Sequence, residues 1–384
     1  MKPGLRVIAL GAAVAALLGC DSGRSEPTTL QEAVDDIVVP HIALGANVGI
    51  VVGVSQAGQR STFAYGERRL GSGEPLTADT VFEIGSVTKA FTAVALAQMH
   101  LRGELRLEDP LQDFLPPGVR VPMRGDSVIT LRHLANHSSG LPRQPTNMDT
   151  DQDDPYAGYT EARMFEFLNG YALPRDPGSG FEYSNAGYGL LGYALGARHG
   201  TDFETVLRAR VLDPLGLTHT AMTLTDAQQA RLAQGYHGNR AVEPLHMEDI
   251  TQGGGGLKSD LNDMLTFLDA AMGVGPSPLE EAMKLTQEQT FGSFDTVYFQ
   301  VDGVGLGWNL DVQDGAPLVF KNGGNIGFTA FIGFDRERQQ GVVVLANSSL
   351  NPDAFTTFIG LEVLKKLRAA PGTWAASHGC GQGG

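Results

Sequence analysis

The stretch Phe82-Glu-Ile-Gly-Ser-Val-Thr-Lys-Ala-Phe-Thr-Ala-Val-Ala-Leu-Ala-Gln-Met-His-Leu101 organises the reading of this chain. A short extended approach over residues 82–84 leads into apolar residues at helical spacing. A helix is therefore expected from about Ser86 to Leu101, stopped near Gly103. Ser86 and Lys89, three apart at the helix start, share one face, so the ammonium can reach the hydroxyl. The positive end of the helix favours an oxyanion at the same place. A serine hydroxyl is a weak nucleophile at neutral pH and needs a neighbouring base. Alone, the same four residues also describe a serine cap followed by a solvated lysine.

Working outward, strand patterns lie at both ends of the chain. Residues 47–54 are apolar and β-branched, and residues 60–65 follow after Gln56-Ala-Gly58, which reads as a hairpin. Strands are expected again over 305–312, 318–321, 329–334 and 341–346, with a closing helix over 354–367. Between about 104 and 245 the chain is loop-rich and helical, with helices expected over 129–135, 162–168, 186–197 and 203–211. Another helix is expected over 260–272. Strands at both ends around a helical middle imply an α+β fold: an antiparallel sheet built from both chain ends, flanked by helices, with an inserted helical lobe forming one wall of a cleft.

Two further clusters carry chemistry. Tyr183-Ser184-Asn185 precedes the apolar helix expected from Ala186. A tyrosine beside two lysines is held toward phenolate, and could take the proton of Ser86 and later activate water. A core-packed tyrosine with Asn185 as helix cap is the bland alternative. Lys321-Asn322-Gly323-Gly324 ends a strand. Its glycines would let a substrate backbone lie along the edge, and Lys321 would supply charge for an acidic group; a basic residue at a turn has the same look.

In this order, the three clusters resemble the active-site triplet of serine β-lactamases and penicillin-binding proteins. The resemblance extends to Ile129-Thr-Leu-Arg-His-Leu-Ala135, His137-Ser-Ser-Gly-Leu-Pro142, Gly305-Leu-Gly-Trp308, Gly327-Phe-Thr-Ala-Phe-Ile-Gly-Phe334 and Gly341-Val-Val-Val-Leu-Ala-Asn347, and so covers about residues 30–367. A tyrosine heading the second motif is similar to the class C branch, which also holds DD-carboxypeptidases, endopeptidases and esterases. The resemblance implies Ser86 as nucleophile, with Lys89 and Tyr183 sharing the general-base work. It implies an oxyanion hole from the backbone N–H groups of Ser86 and Gly324. Asn185 and Gln144 would bind the substrate amide, while Lys321, Asn322 and Gly323 line the remaining wall. Asn322 stands where the family has threonine or serine, which puts carboxylate binding in question. No cofactor or metal is implied. The partner would be a small β-lactam or a peptidoglycan peptide, met by a monomer. β-Lactam hydrolysis is the first expectation, followed by D-alanyl-D-alanine peptidase or esterase activity, with a non-catalytic sensor last.

The start of the chain bears on compartment. Lys2 and Arg6 precede an apolar run over 7–19, shorter than the ~20 residues of a membrane span, so it reads as a signal peptide. It ends Leu17-Leu-Gly-Cys20, which resembles a bacterial lipobox with Cys20 as the lipidated residue. The expectation is a periplasmic protein held to a membrane by Cys20, with residues 20–28 as tether, 29–367 as the hydrolase domain and 368–384 as a disordered tail. Cys380 then has no partner for a disulfide. The net charge of -15 excludes nucleic acid as a partner, since phosphate binding needs clustered Lys and Arg.

Four other patterns are set aside. His133 and His137 have zinc-ligand spacing but lack the glutamate of a metalloprotease. Asp149, Asp151, Asp153 and Asp154 lack the glycine and glutamate of a calcium loop. Gly253 to Ser259 has Leu257 where a phosphate loop needs glycine. Gly53-Val-Ser55-Gln-Ala57 leads into a hairpin rather than the helix of an esterase elbow.

Overall fold

The computed structural model describes residues 27, 29–150, 154–295, 300–313, 315–349 and 355–369. The leader, Cys20, the tail with Cys380, and Asp151 and Asp153 lie outside the described residues. Among the described residues no helix is long and apolar enough to cross a membrane.

Seven strands form the main sheet: β1 (Gly49–Gln56), β2 (Gln59–Gly66), β3 (Gly303–Val304), β4 (Asn309–Gln313), β5 (Ala316–Gly324), β6 (Thr329–Asp335) and β7 (Gln340–Ala346), in the order β2-β1-β7-β6-β5-β4-β3. Every pairing is antiparallel, and the two chain ends meet where β1 pairs with β7, from Ile50 opposite Ala346 to Gln56 opposite Gln340. The sheet built from both ends is thus what forms. The β1–β2 turn is Ala57-Gly58, with φ of 48° and 87°, the left-handed pair that a two-residue hairpin demands.

The central strands are buried on both faces, and each face has its own core. On one side Ile50, Val52, Val54, Phe331 and Val344 pack against α1 (Leu30–Ala43) and the closing helix α9 (Phe355–Ala369). On the other, Val51, Ile332, Phe334 and Leu345 pack beneath α2 (Thr88–Leu101) and α7 (Leu261–Met272), joined by the stacked rings of Phe91 and Phe267. Each fully buried side chain of this size is worth roughly 1.5–3 kcal/mol.

Between them come α3 (Leu131–Ala135), α4 (Glu161–Gly170), α5 (Asn185–His199), α6 (Phe203–Leu207) and, after α7, α8 (Glu280–Thr286). The helix expected over 203–211 is α6 continued by a wider π turn at Arg208–Leu212. The first expected C-terminal strand, over 305–312, is displaced: β4 starts only at Asn309. Helix α1 escapes the sequence reading altogether. It opens with a capping box in which Thr29 Oγ accepts the Glu32 N–H and Glu32 answers the Thr29 N–H.

Candidate active site

The nucleophile segment begins as a short extended pair, Phe82 opposite Ser259 and Glu83 opposite Lys258. Ser86 itself is not on an α-helix. It occupies a 3-10 turn, Gly85–Val87, and α2 begins at Thr88. The tighter turn follows from what it touches. Gly85 has φ of 49°, and a Cβ there would lie 2.8 Å from Gly324 N. Across the contact, a Cβ on Gly323 would lie 2.2 Å from Ile84 O and 2.9 Å from Ser86 N. Two glycines, one from each segment, let the end of β5 lie against the serine turn. This brings the backbones of Ser86 and Gly324 together. Gly323 is therefore spent on the nucleophile turn rather than on a substrate.

Lys89 is fully buried and its ammonium meets three oxygens: Ser86 Oγ at 3.0 Å, Asn185 Oδ1 at 2.8 Å and Gly254 O at 2.5 Å. Three acceptors fill its three donors, so the burial of a charge is met by hydrogen bonding. Tyr183 OH stands 2.6 Å from Ser86 Oγ. Around the Tyr183 ring lie three cations: Lys89 Nζ at 4.9 Å, Lys321 Nζ at 5.0 Å and Arg143 Cζ at 5.0 Å from the centroid. Lys321, like Lys89, is buried.

The helix that carries the second motif starts at Asn185, and its cap is Ser184, not Asn185: Ser184 Oγ accepts the Gly187 N–H at 2.8 Å. Asn185 is thereby free to reach Lys89 with its carbonyl. Its amide nitrogen faces Tyr156 OH at 3.5 Å, and Gln144 Nε2 donates to the same hydroxyl at 2.6 Å. Tyr156 joins Gln144 and Asn185 into one wall.

Lys321 and Asn322 part company. Asn322 sits opposite Phe331 in the β5–β6 register, and Phe331 belongs to the core under α9. Successive side chains leave a strand on opposite faces, so Asn322 points away from the face that Lys321 and Gly323 share. Lys321 and Asn322 therefore leave β5 on different faces, although the family likeness gives both positions a part in substrate binding.

Sequence reasoning missed four participants. His137, noted in a family-like stretch and for a zinc spacing that was set aside, is buried behind Tyr183 with ring centroids 4.4 Å apart. Its carbonyl accepts the Glu182 N–H at 2.8 Å and its Nδ1 the Ser184 N–H at 3.1 Å, so it grips both neighbours of Tyr183. Burial, then the charges of Lys321, Lys89 and Arg143, hold its pKa well below 6.5, and the ring is neutral. His133, by contrast, closes the cap of α3 by accepting the Thr130 N–H. The two imidazoles serve different backbones. Gly254, inside the glycine run set aside as a phosphate loop, supplies a carbonyl to Lys89, and Gly253 O accepts from Thr92. Tyr156 is the third. Glu83, three residues before the nucleophile, is the fourth: it is 4% exposed and accepts from Leu245 N–H at 3.0 Å and from the Asn325 amide. Burial pushes its carboxyl up to about 7. Asp154 of the acidic loop accepts the backbone N–H groups of Tyr156, Ala157 and His246. Ser55 donates to Asp269 from within β1.

Comparison with known proteins agrees with this architecture. The family model described as Beta-lactamase matches residues 34–361. A β-lactamase of Pseudomonas fluorescens is 29% identical over 361 residues, covering 84% of this chain and 94% of the relative. The D-alanyl-D-alanine-carboxypeptidase/endopeptidase AmpH of Escherichia coli K12 is 28% identical over 340 residues, covering 85% and 87%. Among solved structures, a β-lactamase/D-alanine carboxypeptidase from Yersinia pestis complexed with citrate superimposes with a TM-score of 0.78 at 26% identity, over 88% of this chain and 98% of that one. A class C β-lactamase from Rhodobacter sphaeroides gives 0.75 at 26% identity, over 88% and 99%.

Proposed function

The chain belongs to the β-lactamase family of hydrolases, and on that premise we propose that it opens β-lactam rings through an acyl-enzyme on Ser86. The observation that carries this reading is the 2.6 Å contact between Tyr183 OH and Ser86 Oγ, with Lys89 Nζ 3.0 Å from the same oxygen. In the proposed sequence, Tyr183 takes the Ser86 proton while the serine oxygen attacks the lactam carbonyl. The three surrounding cations stabilise the phenolate. Lys89, committed to two carbonyl oxygens, acts chiefly as a fixed positive charge, with Tyr183 as the proton acceptor. The N–H groups of Ser86 and Gly324 receive the developing oxyanion. The proton passes to the departing ring nitrogen, and Tyr183 then draws a proton from the water that releases the acyl group. Gln144 and Asn185 hold the substrate's side-chain amide, and Lys321 faces its carboxylate.

A second reading, cleavage of D-alanyl-D-alanine peptides, is favoured by the similarity to AmpH across 85% of this chain. It uses the same acylation step and differs in how fast water clears the ester. Steady-state turnover of a β-lactam panel beside a D-alanyl-D-alanine peptide separates the two. Ser86→Ala removes the nucleophile with little change in volume, and covalent labelling by a fluorescent penicillin should be abolished in a folded variant. Labelling that persists overturns the mechanism. Export and anchoring through Cys20 complete the proposal, on the strength of the basic start and apolar run before Leu17-Leu-Gly-Cys20.

A further inference from the structure

We propose that Arg143 is a specificity-determining residue that selects substrates carrying a second carboxylate on the acyl side of the scissile bond; the inference rests on the β-lactam reading above. The three cations around Tyr183 are not equivalent. Lys89 is consumed by three oxygens, and Lys321 is buried on β5. Arg143 is exposed, and among the described residues its guanidinium pairs with no carboxylate. Its main chain, however, is fixed. The Arg143 carbonyl accepts the N–H groups of Asn185 at 2.8 Å and Ala186 at 3.3 Å, which ties the residue to the start of α5.

That anchoring decides which part of a substrate the guanidinium meets. Arg143 adjoins Gln144, and Gln144 and Asn185 share the Tyr156 hydroxyl. The three residues make one wall, the wall assigned above to the acyl side chain, whereas Lys321 belongs to the strand on the other wall. Arg143 is exposed with its Cζ 5.0 Å from the Tyr183 ring centroid, and a planar guanidinium can take a carboxylate through two parallel hydrogen bonds. In a chain of net charge -15, an exposed arginine at the mouth of the site that pairs with no carboxylate among the described residues is a local exception that favours anionic side chains. The matching peptide would carry a free carboxylate on the residue preceding the scissile alanine pair.

The test uses two penicillins that differ by one group: benzylpenicillin, and carbenicillin, which adds a carboxylate to the side-chain α-carbon. The rate constant for acylation of Ser86 by each is measured on the full chain by mass spectrometry, and the ratio is compared between proteins. Any effect of Arg143 on Tyr183 is common to both substrates and cancels in the ratio. Arg143→Gln should lower the carbenicillin-to-benzylpenicillin ratio by about tenfold, Arg143→Lys should keep most of it, and 0.5 M NaCl should lower it in the unaltered protein because an exposed pair is screened. A ratio within twofold of the unaltered protein in Arg143→Gln, together with no response to salt, overturns the role of Arg143 alone. Failure of both penicillins to acylate Ser86 overturns the β-lactam reading and this inference with it.

Discussion

Glu83 offers a perturbation whose size follows from its surroundings. Its carboxyl is enclosed by Leu245 N–H, the Asn325 amide, Lys258 on the paired strand and Asp154. Burial outweighs the hydrogen bonds and Lys258, and moves the carboxyl from 4.5 to about 7. A folded state that holds its proton more tightly than the unfolded chain is most favoured when both are protonated. The contribution is therefore complete below about pH 4.5 and is lost as pH rises through about 7. At about 1.4 kcal/mol per pH unit, that interval is worth about 3 kcal/mol. Glu83→Gln is neutral at every pH. It loses one hydrogen bond, because Asn325 cannot turn its amide: Asn325 Oδ1 already accepts Gly327 N–H at 2.9 Å and Phe328 N–H at 2.8 Å. That loss is a constant offset. Urea unfolding of both proteins at pH 5 and pH 8 should show the variant gaining about 2.5 kcal/mol relative to the unaltered protein at the higher pH, because at pH 5 part of the contribution is already lost. The activity should move the opposite way in the unaltered protein. Ionised Glu83 accepts from both donors and steadies the residue after Gly324, so kcat/KM should rise through about pH 7, and Glu83→Gln should flatten that limb. A stability difference that does not change between pH 5 and 8 would refute the reasoning, because the carboxyl would then be charged throughout.

Gly323→Ala should cost about 1–3 kcal/mol by overpacking and slow Ser86 acylation by at least about a hundredfold, since a displacement of about 1 Å at a reacting centre has that effect; thermal unfolding and penicillin-labelling rates measure both. Gly292→Ala, whose Cβ would meet nothing within 4 Å, is the control and should change neither, so an equal response from the two variants would refute the close-approach argument. Cys20→Ala should release the protein to a soluble fraction or block its processing, and a wild-type protein that is already soluble with an unmodified Cys20 by mass spectrometry would refute lipid anchoring.

What could be read from sequence was what is local or periodic. The apolar run after Ser86, the hairpin at Ala57-Gly58 and the β-branched stretches at both ends state their elements directly, and together they imply the sheet. Helix α1 was lost because its buried apolar residues, Leu30, Ala33, Val34 and Val38, are few and β-branched in part, and Pro40 stands inside it. The capping box at Thr29 and Glu32 was its visible signal. Ser86 and Lys89 were legible because three residues on one turn are always neighbours. Gly254 and Tyr156 were not, since they meet Lys89 and Asn185 across separations of 165 and 29 residues, and no local pattern encodes such a meeting. His137 lay in a stretch already marked by its family likeness, and its zinc-like spacing was set aside, but nothing local in the sequence says which backbone N–H its ring accepts. Asn322 differs in kind: the family likeness gives its position a part in carboxylate binding, whereas the β5–β6 register sets it opposite Phe331, on the other face of β5 from Lys321.

The residues that were missed share a physical reason for being where they are. Burying Lys89 beside Ser86 costs several kcal/mol unless its donors are met, and the oxygens that meet them must come from segments able to approach α2 closely. Gly253 and Gly254 do so because they lack side chains; a Cβ on Gly253 would stand 2.4 Å from Tyr188 O and 3.0 Å from Gly192 Cα. Gly85 and Gly323 bring β5 to the same turn from the other side. Tyr183 is then held between two buried ammoniums, and neutral His137 fixes both of its neighbours from behind. A protonated imidazole there would add a fourth charge to Lys89, Lys321 and Arg143, which is why burial and those three cations drive His137 to the neutral form. The glycines thus serve the cations, and the cations serve one phenol oxygen 2.6 Å from the nucleophile. Substitution at any of these glycines should accordingly be felt first in acylation, through geometry, before it is felt as loss of the sheet.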